Sequence, residues 1–157
     1  MSVWTHVAAV FRYDSISSEF CDVVDVETQW GKRKRHIPNW DLVFGKATFE
    51  PDDFADDEQI GKWLKSVDDA YDNRGEYLPF GSEGSLQISV WTNPDSSDAA
   101  KYTISIFGDL RDYESVDEIE KWFQRSCNRG SLRQAACHCE IEGLCERTWG
   151  SGWTYYE

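Results

Sequence analysis

The segment Val3 to Tyr13, VWTHVAAVFRY, constrains the chain more than any other. Alternation along a strand puts Val3, Thr5, Val7, Ala9 and Phe11 on one side, and Trp4, His6, Ala8 and Val10 on the other. Both sides are largely apolar, so the segment reads as a central strand. The rest of the fold has to supply it with neighbours.

Downstream, Ser85 to Thr92 and Lys101 to Phe107 alternate as strands. The polar run Asn93 to Asp98 between them predicts a hairpin. Leu132 to Ile141 reads as a further strand, and the aromatic, glycine-punctuated tail 149–157 adds a strand or folds over the sheet. Two stretches have helical periodicity. In Asp56 to Tyr71 the stripe is Ile60, Trp63, Leu64, Val67 and Tyr71, with Gly75 as a stop. In Ser115 to Asn128 it is Val116, Ile119, Trp122, Phe123 and Cys127. Ser115 and Glu118 match a capping box, and Gly130 suits a left-handed position past the helix end.

Residues 14–50 break the pattern and read as an irregular insertion with short strands at Asp22 to Thr28 and Asp41 to Phe49. The order strand, helix, strand, strand, helix, strand predicts an α+β fold: a ferredoxin-like βαββαβ antiparallel sheet with two helices on one face and an insertion after the first strand. No internal repeat or linker divides the chain, so residues 1–157 are expected to form a single domain.

At 157 residues the chain can bury roughly 70% of its unfolded surface, and 40% hydrophobic residues exclude a disordered chain. No apolar run approaches the ~20 residues of a membrane-spanning helix. Met1 to His6 lacks a basic, then apolar, leader, so no signal peptide is expected. Five cysteines, an odd number, fit a reducing compartment and free thiols.

The formal charge is -13, and residues 51–100 carry most of it, with twelve acids against three bases. Such a field repels nucleic acid and anionic membranes and attracts a basic partner. Asp52, Asp53, Asp56, Asp57 and Glu58 crowd the start of the first helix, followed by Asp68, Asp69 and Asp72. The one cationic cluster is Lys32, Arg33, Lys34 and Arg35. It is expected to be solvated, to pair with the 52–58 acids inside the molecule or across a homodimer, or to grip an anionic ligand.

No pattern commits the chain to catalysis, to a metal or to a cofactor. Cys137, His138, Cys139 and Cys145 tempt a zinc reading, but zinc sites favour CxxC turns. Here Cys137 and Cys139 sit two apart on a strand, sharing a face with Ala135 and Ile141, and are expected to pack in the core. Gly81 to Ser85 resembles a phosphate loop, yet a strand follows it where a helix is needed, so a plain turn is expected. His6 reads as a sheet-face or core histidine with a partner. The remaining carboxylates, Asp109, Asp112 and Glu114 among them, read as solvated faces and caps.

Several of these segments carry a family resemblance. The opening Ser2 to Ala8 and the blocks Leu78 to Leu86, Val90 to Pro94, Ile106 to Tyr113, Asp117 to Ile119 and Trp122-Phe123 resemble a group of small proteins encoded by bacteriophages and prophages. The resemblance covers residues 2–13 and about 78–124; no site residue carries over. Its setting implies the host cytoplasm and, with the chain's acidity, an anti-defence role of the anti-CRISPR type.

The expected function is therefore a non-enzymatic inhibitor of a host defence protein or nucleoprotein complex. It would bind a basic surface through a nucleic-acid-mimicking face formed by Asp52, Asp53, Asp56, Asp57, Glu58, Asp68, Asp69 and Asp72. One alternative is a nucleotide-signal sponge, with Lys32, Arg33, Lys34 and Arg35 on the phosphates and Trp40 stacked on the base. Another is a metal-dependent phosphodiesterase or nuclease.

Overall fold

The computed structural model describes residues 3–46, 56–62, 65, 77–93, 99–113 and 115–152. Strand β1 (Trp4–Ile16) lies at the middle of a five-stranded antiparallel sheet. After β1 the chain leaves this sheet to form a two-stranded one from β2 (Cys21–Thr28) and β3 (Gly31–Pro38), then a short helix α1 (Trp40–Phe44). It returns as β4 (Leu86–Thr92) and β5 (Tyr102–Arg111). It then crosses through helix α2 (Val116–Cys127) into β6 (Gly130–Ile141) and β7 (Cys145–Gly152). The sheet order is β4-β5-β1-β6-β7. Phe11 sits opposite Ile104 on β5 and Ala135 on β6.

The core lies on one side of this sheet. Val7, Ala9, Phe11 and Tyr13 of β1 point there with Ile104, Ile106 and Leu110 of β5 and Ala135, Cys137, Cys139 and Ile141 of β6. Helix α2 covers them with Val116, Ile119, Trp122, Phe123 and Cys127, the stripe its periodicity predicts. The Ser115 side chain accepts from the Glu118 amide at 3.3 Å, satisfying one of the helix's orphan donors. Phe11 is the hub of the aromatic packing. Its ring centroid lies 5.1 Å from Phe44, 5.4 Å from Phe123 and 5.8 Å from Trp122, the last edge-on. The Trp122 indole N–H donates to the Phe44 carbonyl at 2.9 Å, tying α2 to α1.

The ferredoxin-like βαββαβ expectation is corrected. The protein is mostly β: the main sheet has a fifth strand, β7, contributed by the tail, and a second sheet stands beside it. Nor are the described residues of the 14–50 stretch, 14–46, irregular. They hold the end of β1, the β2–β3 ribbon and α1; where a strand is expected over Asp41 to Phe49, residues 41–44 belong to that one-turn helix, capped by the Asn39 side chain and closed by Gly45 at φ 75°, and 47–49 lie outside the described residues. The first strand of the ribbon matches the one expected over Asp22 to Thr28; β3 carries no such signal, because the ribbon has no core to alternate against and nearly all its residues are exposed.

Of the helix expected over Asp56 to Tyr71, residues 57–62 and 65 are helical. Asp56 and Gln59 cap each other, the Asp56 carboxylate accepting from the Gln59 amide at 2.8 Å and the Gln59 side chain from the Asp56 amide at 3.1 Å. Trp63, Leu64, Val67 and Tyr71 lie outside the described residues. Gly130 is not a left-handed cap. It opens β6 opposite Ile16, where any Cβ would collide with the Ser15 carbonyl, so the requirement is close approach. No helix among the described residues is long and apolar enough to cross a membrane.

Candidate functional site on the open sheet face

Among the described residues, no helix lies over the other side of the main sheet. Directly opposite residues in antiparallel strands point to the same side, so the registers build this face row by row. One row runs Asp109, His6, Glu140, Glu146 across β5, β1, β6 and β7. The next runs Gln87, Phe107, Ala8, His138, Thr148 across all five strands. The third is Ser89, Ser105, Val10, Ala136, Gly150. The result is an apolar middle with a band of histidines and carboxylates at one end.

In the middle, Ala8, Ser105 and Ala136 are small and leave a depression of about 230 Å³. Phe107 and Val10 stand around it, 46% and 42% exposed, and Trp91 of β4 is 55% exposed. A larger cleft of about 450 Å³ between α2 and β7 is lined by Phe123, Cys127, Trp149 and Glu120, without a histidine. The chemistry-bearing side chains gather on the open face.

At the charged end His6 is bracketed. Its Nδ1 lies 2.5 Å from an Asp109 oxygen and its Nε2 2.6 Å from a Glu142 oxygen. The bond to Asp109, then that to Glu142, raises the His6 pKa above its ordinary 6.5. Beside it, His138 Nδ1 lies 2.8 Å from the Thr148 hydroxyl and Nε2 3.3 Å from Glu146. Among the described residues, no lysine or arginine pairs with Asp109, Glu140, Glu142 or Glu146. The nearby arginines are engaged elsewhere: Arg111 with Glu83 at 2.8 Å and Arg147 with Asp117 at 3.3 Å.

Because the folded protein holds the imidazolium more tightly than the unfolded chain does, the bracket stabilises most below about pH 6.5. Its contribution fades as pH rises through the folded-state value. The His6 ring should titrate above 6.5 in a histidine NMR titration and fall back toward it in Asp109→Asn/Glu142→Gln. The Tm difference between wild type and His6→Gln should shrink as pH is raised.

The expected sites fare differently. Asp56, Asp57 and Glu58 are exposed, while Asp52, Asp53, Asp68, Asp69 and Asp72 lie outside the described residues. Lys32, Arg33, Lys34 and Arg35 sit on β3, where alternation sends Lys32 and Lys34 to one side and Arg33 and Arg35 to the other. Lys32 and Lys34 stand across from Glu27 and Asp25 of β2, so acids of the same ribbon, in register, face these two bases. Trp40 is half-buried, its ring 5.3 Å from Tyr102 at a steep angle and 6.2 Å from Phe44 in a near-parallel arrangement.

Gly81 to Ser85 is a turn bound to the end of β5: the Ser82 amide donates to the Arg111 carbonyl, and the Arg111 amide to that of Glu83. Cys137 and Cys139 are core residues as expected, 1% and 0% exposed, and burial pushes their thiols up to about 12 and about 11. All five cysteines are free. The carboxylate–histidine band itself was missed. The one local signal was His138 and Glu140, two apart on a strand and therefore on one face.

No protein-family model matches the sequence, and no curated protein or solved structure is significantly similar to it.

Proposed function

We propose that this protein is a binding protein, not a catalyst, and that its open sheet face docks a partner protein presenting an apolar contact flanked by lysines and arginines. The observation that carries this reading is the make-up of the face. Phe107, Val10 and Trp91 expose apolar surface around a shallow depression, and the band beside them holds four carboxylates, Asp109, Glu140, Glu142 and Glu146, that have no lysine or arginine partner among the described residues. Apolar contacts of this kind supply interface anchors. The carboxylates steer a basic partner and set its orientation. The phage likeness would make that partner a host defence protein, with the carboxylate band taking the place of phosphates on its basic surface.

The test compares variants on one captured partner. Wild type should retain it from a bacterial lysate at about 50 mM salt and release it near 0.5 M, where the Debye length falls below ~5 Å. Phe107→Ser and Glu142→Lys should each abolish retention, whereas Asp56→Asn/Asp57→Asn/Glu58→Gln should keep it. Retention by the two face variants, or loss in the 56–58 variant, would move the contact to the acidic helix. No capture at low salt would end the reading.

A further inference from the structure

We propose that His138, Glu140 and Glu146 form a binding site for a divalent transition-metal ion of the zinc class. Glu140 and Glu146 also belong to the carboxylate band of the docking face, but the metal site requires no partner protein. The β6–β7 hairpin builds the site. His138 and Glu140 are two apart on β6 and project to the open face, and Glu146 is directly opposite Glu140 on β7. One ligand atom from each of the three lies within 4.8 Å of the others, close enough for small side-chain rotations to bring all three onto one ion.

Two further features favour a cation. Like charges directly opposite on neighbouring strands repel, yet Glu140 and Glu146 are so placed, with no lysine or arginine pairing with either among the described residues. A dipositive ion between them turns that repulsion into attraction. Second, His138 is already oriented by a group outside the donor set. The Thr148 hydroxyl, opposite His138 in register, engages Nδ1 at 2.8 Å and leaves Nε2 on the side of Glu146. Metal-ligating histidines are held this way, the second nitrogen fixing tautomer and ring orientation.

The donor set selects the ion. One imidazole with two carboxylates suits Zn²⁺, Co²⁺ or Mn²⁺ and is a poor match for the all-oxygen shells of Ca²⁺ and Mg²⁺. Three protein donors leave at least one coordination position to water or to a group from another molecule.

The experiment titrates the whole chain with CoCl₂ and ZnCl₂ in a Cys145→Ser background, which removes the exposed thiol at the start of β7, beside Glu146. One equivalent of Co²⁺ should bind, with visible d–d absorption free of thiolate charge-transfer bands, and Zn²⁺ should displace it. Glu140→Gln and Glu146→Gln should each weaken binding by more than about tenfold, and Thr148→Val by roughly tenfold through loss of the orienting contact. His6→Gln should bind as the parent does. In the unmutated protein, Zn²⁺ should shift the Nε2 resonance of His138 and leave that of His36 in place. Binding unchanged in the two glutamine variants, thiolate bands in the cobalt spectrum, or no saturable binding by the parent would each overturn the assignment.

Discussion

Replacing Phe11 with alanine should cost about 3–5 kcal/mol, the range for emptying a phenylalanine-sized volume in a packed core. Phe11 is fully buried at the centre of the central strand and touches the rings of Tyr13, Phe44, Trp122 and Phe123. These rings come from β1, α1 and α2, so a cavity here loosens the sheet and both helices together. Against a typical domain stability of about 5–15 kcal/mol the loss is a large fraction. Urea denaturation followed by tryptophan fluorescence would read it as a fall in midpoint at nearly constant slope. Val10→Ala, one residue away on the open face and 42% exposed, should cost far less. Similar losses for the two would mean that the sheet is covered on both sides.

The second large effect concerns Gly84. Its φ is +80°, and a Cβ there would run into the Asp109 carbonyl. Gly143 has a comparable φ of +75° with nothing within 4 Å of where a Cβ would stand. Gly143→Ala should therefore cost only the left-handed penalty, about 1–2 kcal/mol. Gly84→Ala adds an overlap with backbone that cannot rotate away, for a total of about 2–4 kcal/mol. Displacing Asp109 also loosens its hold on His6, so the variant should lower the His6 pKa as well. Thermal melts of the pair, with the His6 titration repeated, would check both parts. Equal melts would remove the close approach of the turn to β5.

Much of this architecture could be read locally, because it is written in short periods. The α2 stripe and its Ser115 cap lie within one stretch of chain and face one core. Likewise β1 is central, as its two apolar sides predict. Among the described residues only one of those sides is covered, however: Val7 and Phe11 are buried while Val10 is exposed. Composition cannot separate an apolar side that meets a helix from one left open. In the ribbon, β2 was legible at Asp22 to Thr28, but β3 gave no pattern because Lys32 to Arg35 alternate between two solvated sides; its one sharp marker is Gly31, at φ 110° after the Thr28 to Trp30 turn.

The carboxylate–histidine band was illegible for a different reason. His6 meets Asp109 across 103 residues and Glu142 across 136. Their convergence depends on strand register, and register is a property of the assembled sheet.

Those separations also bear on how the protein comes into being. The middle strand is made before both of its neighbours, and long stretches of chain separate it from β5 and β6. Loop closure over such spans has to precede any reward from pairing, which places this topology among the slow folders. Until β5 and β6 arrive, the nascent VWTHVAAVFRY segment has two bare edges and an uncovered apolar surface. It is then open to capture by other strands, which makes it the point at which a chaperone would do the most good.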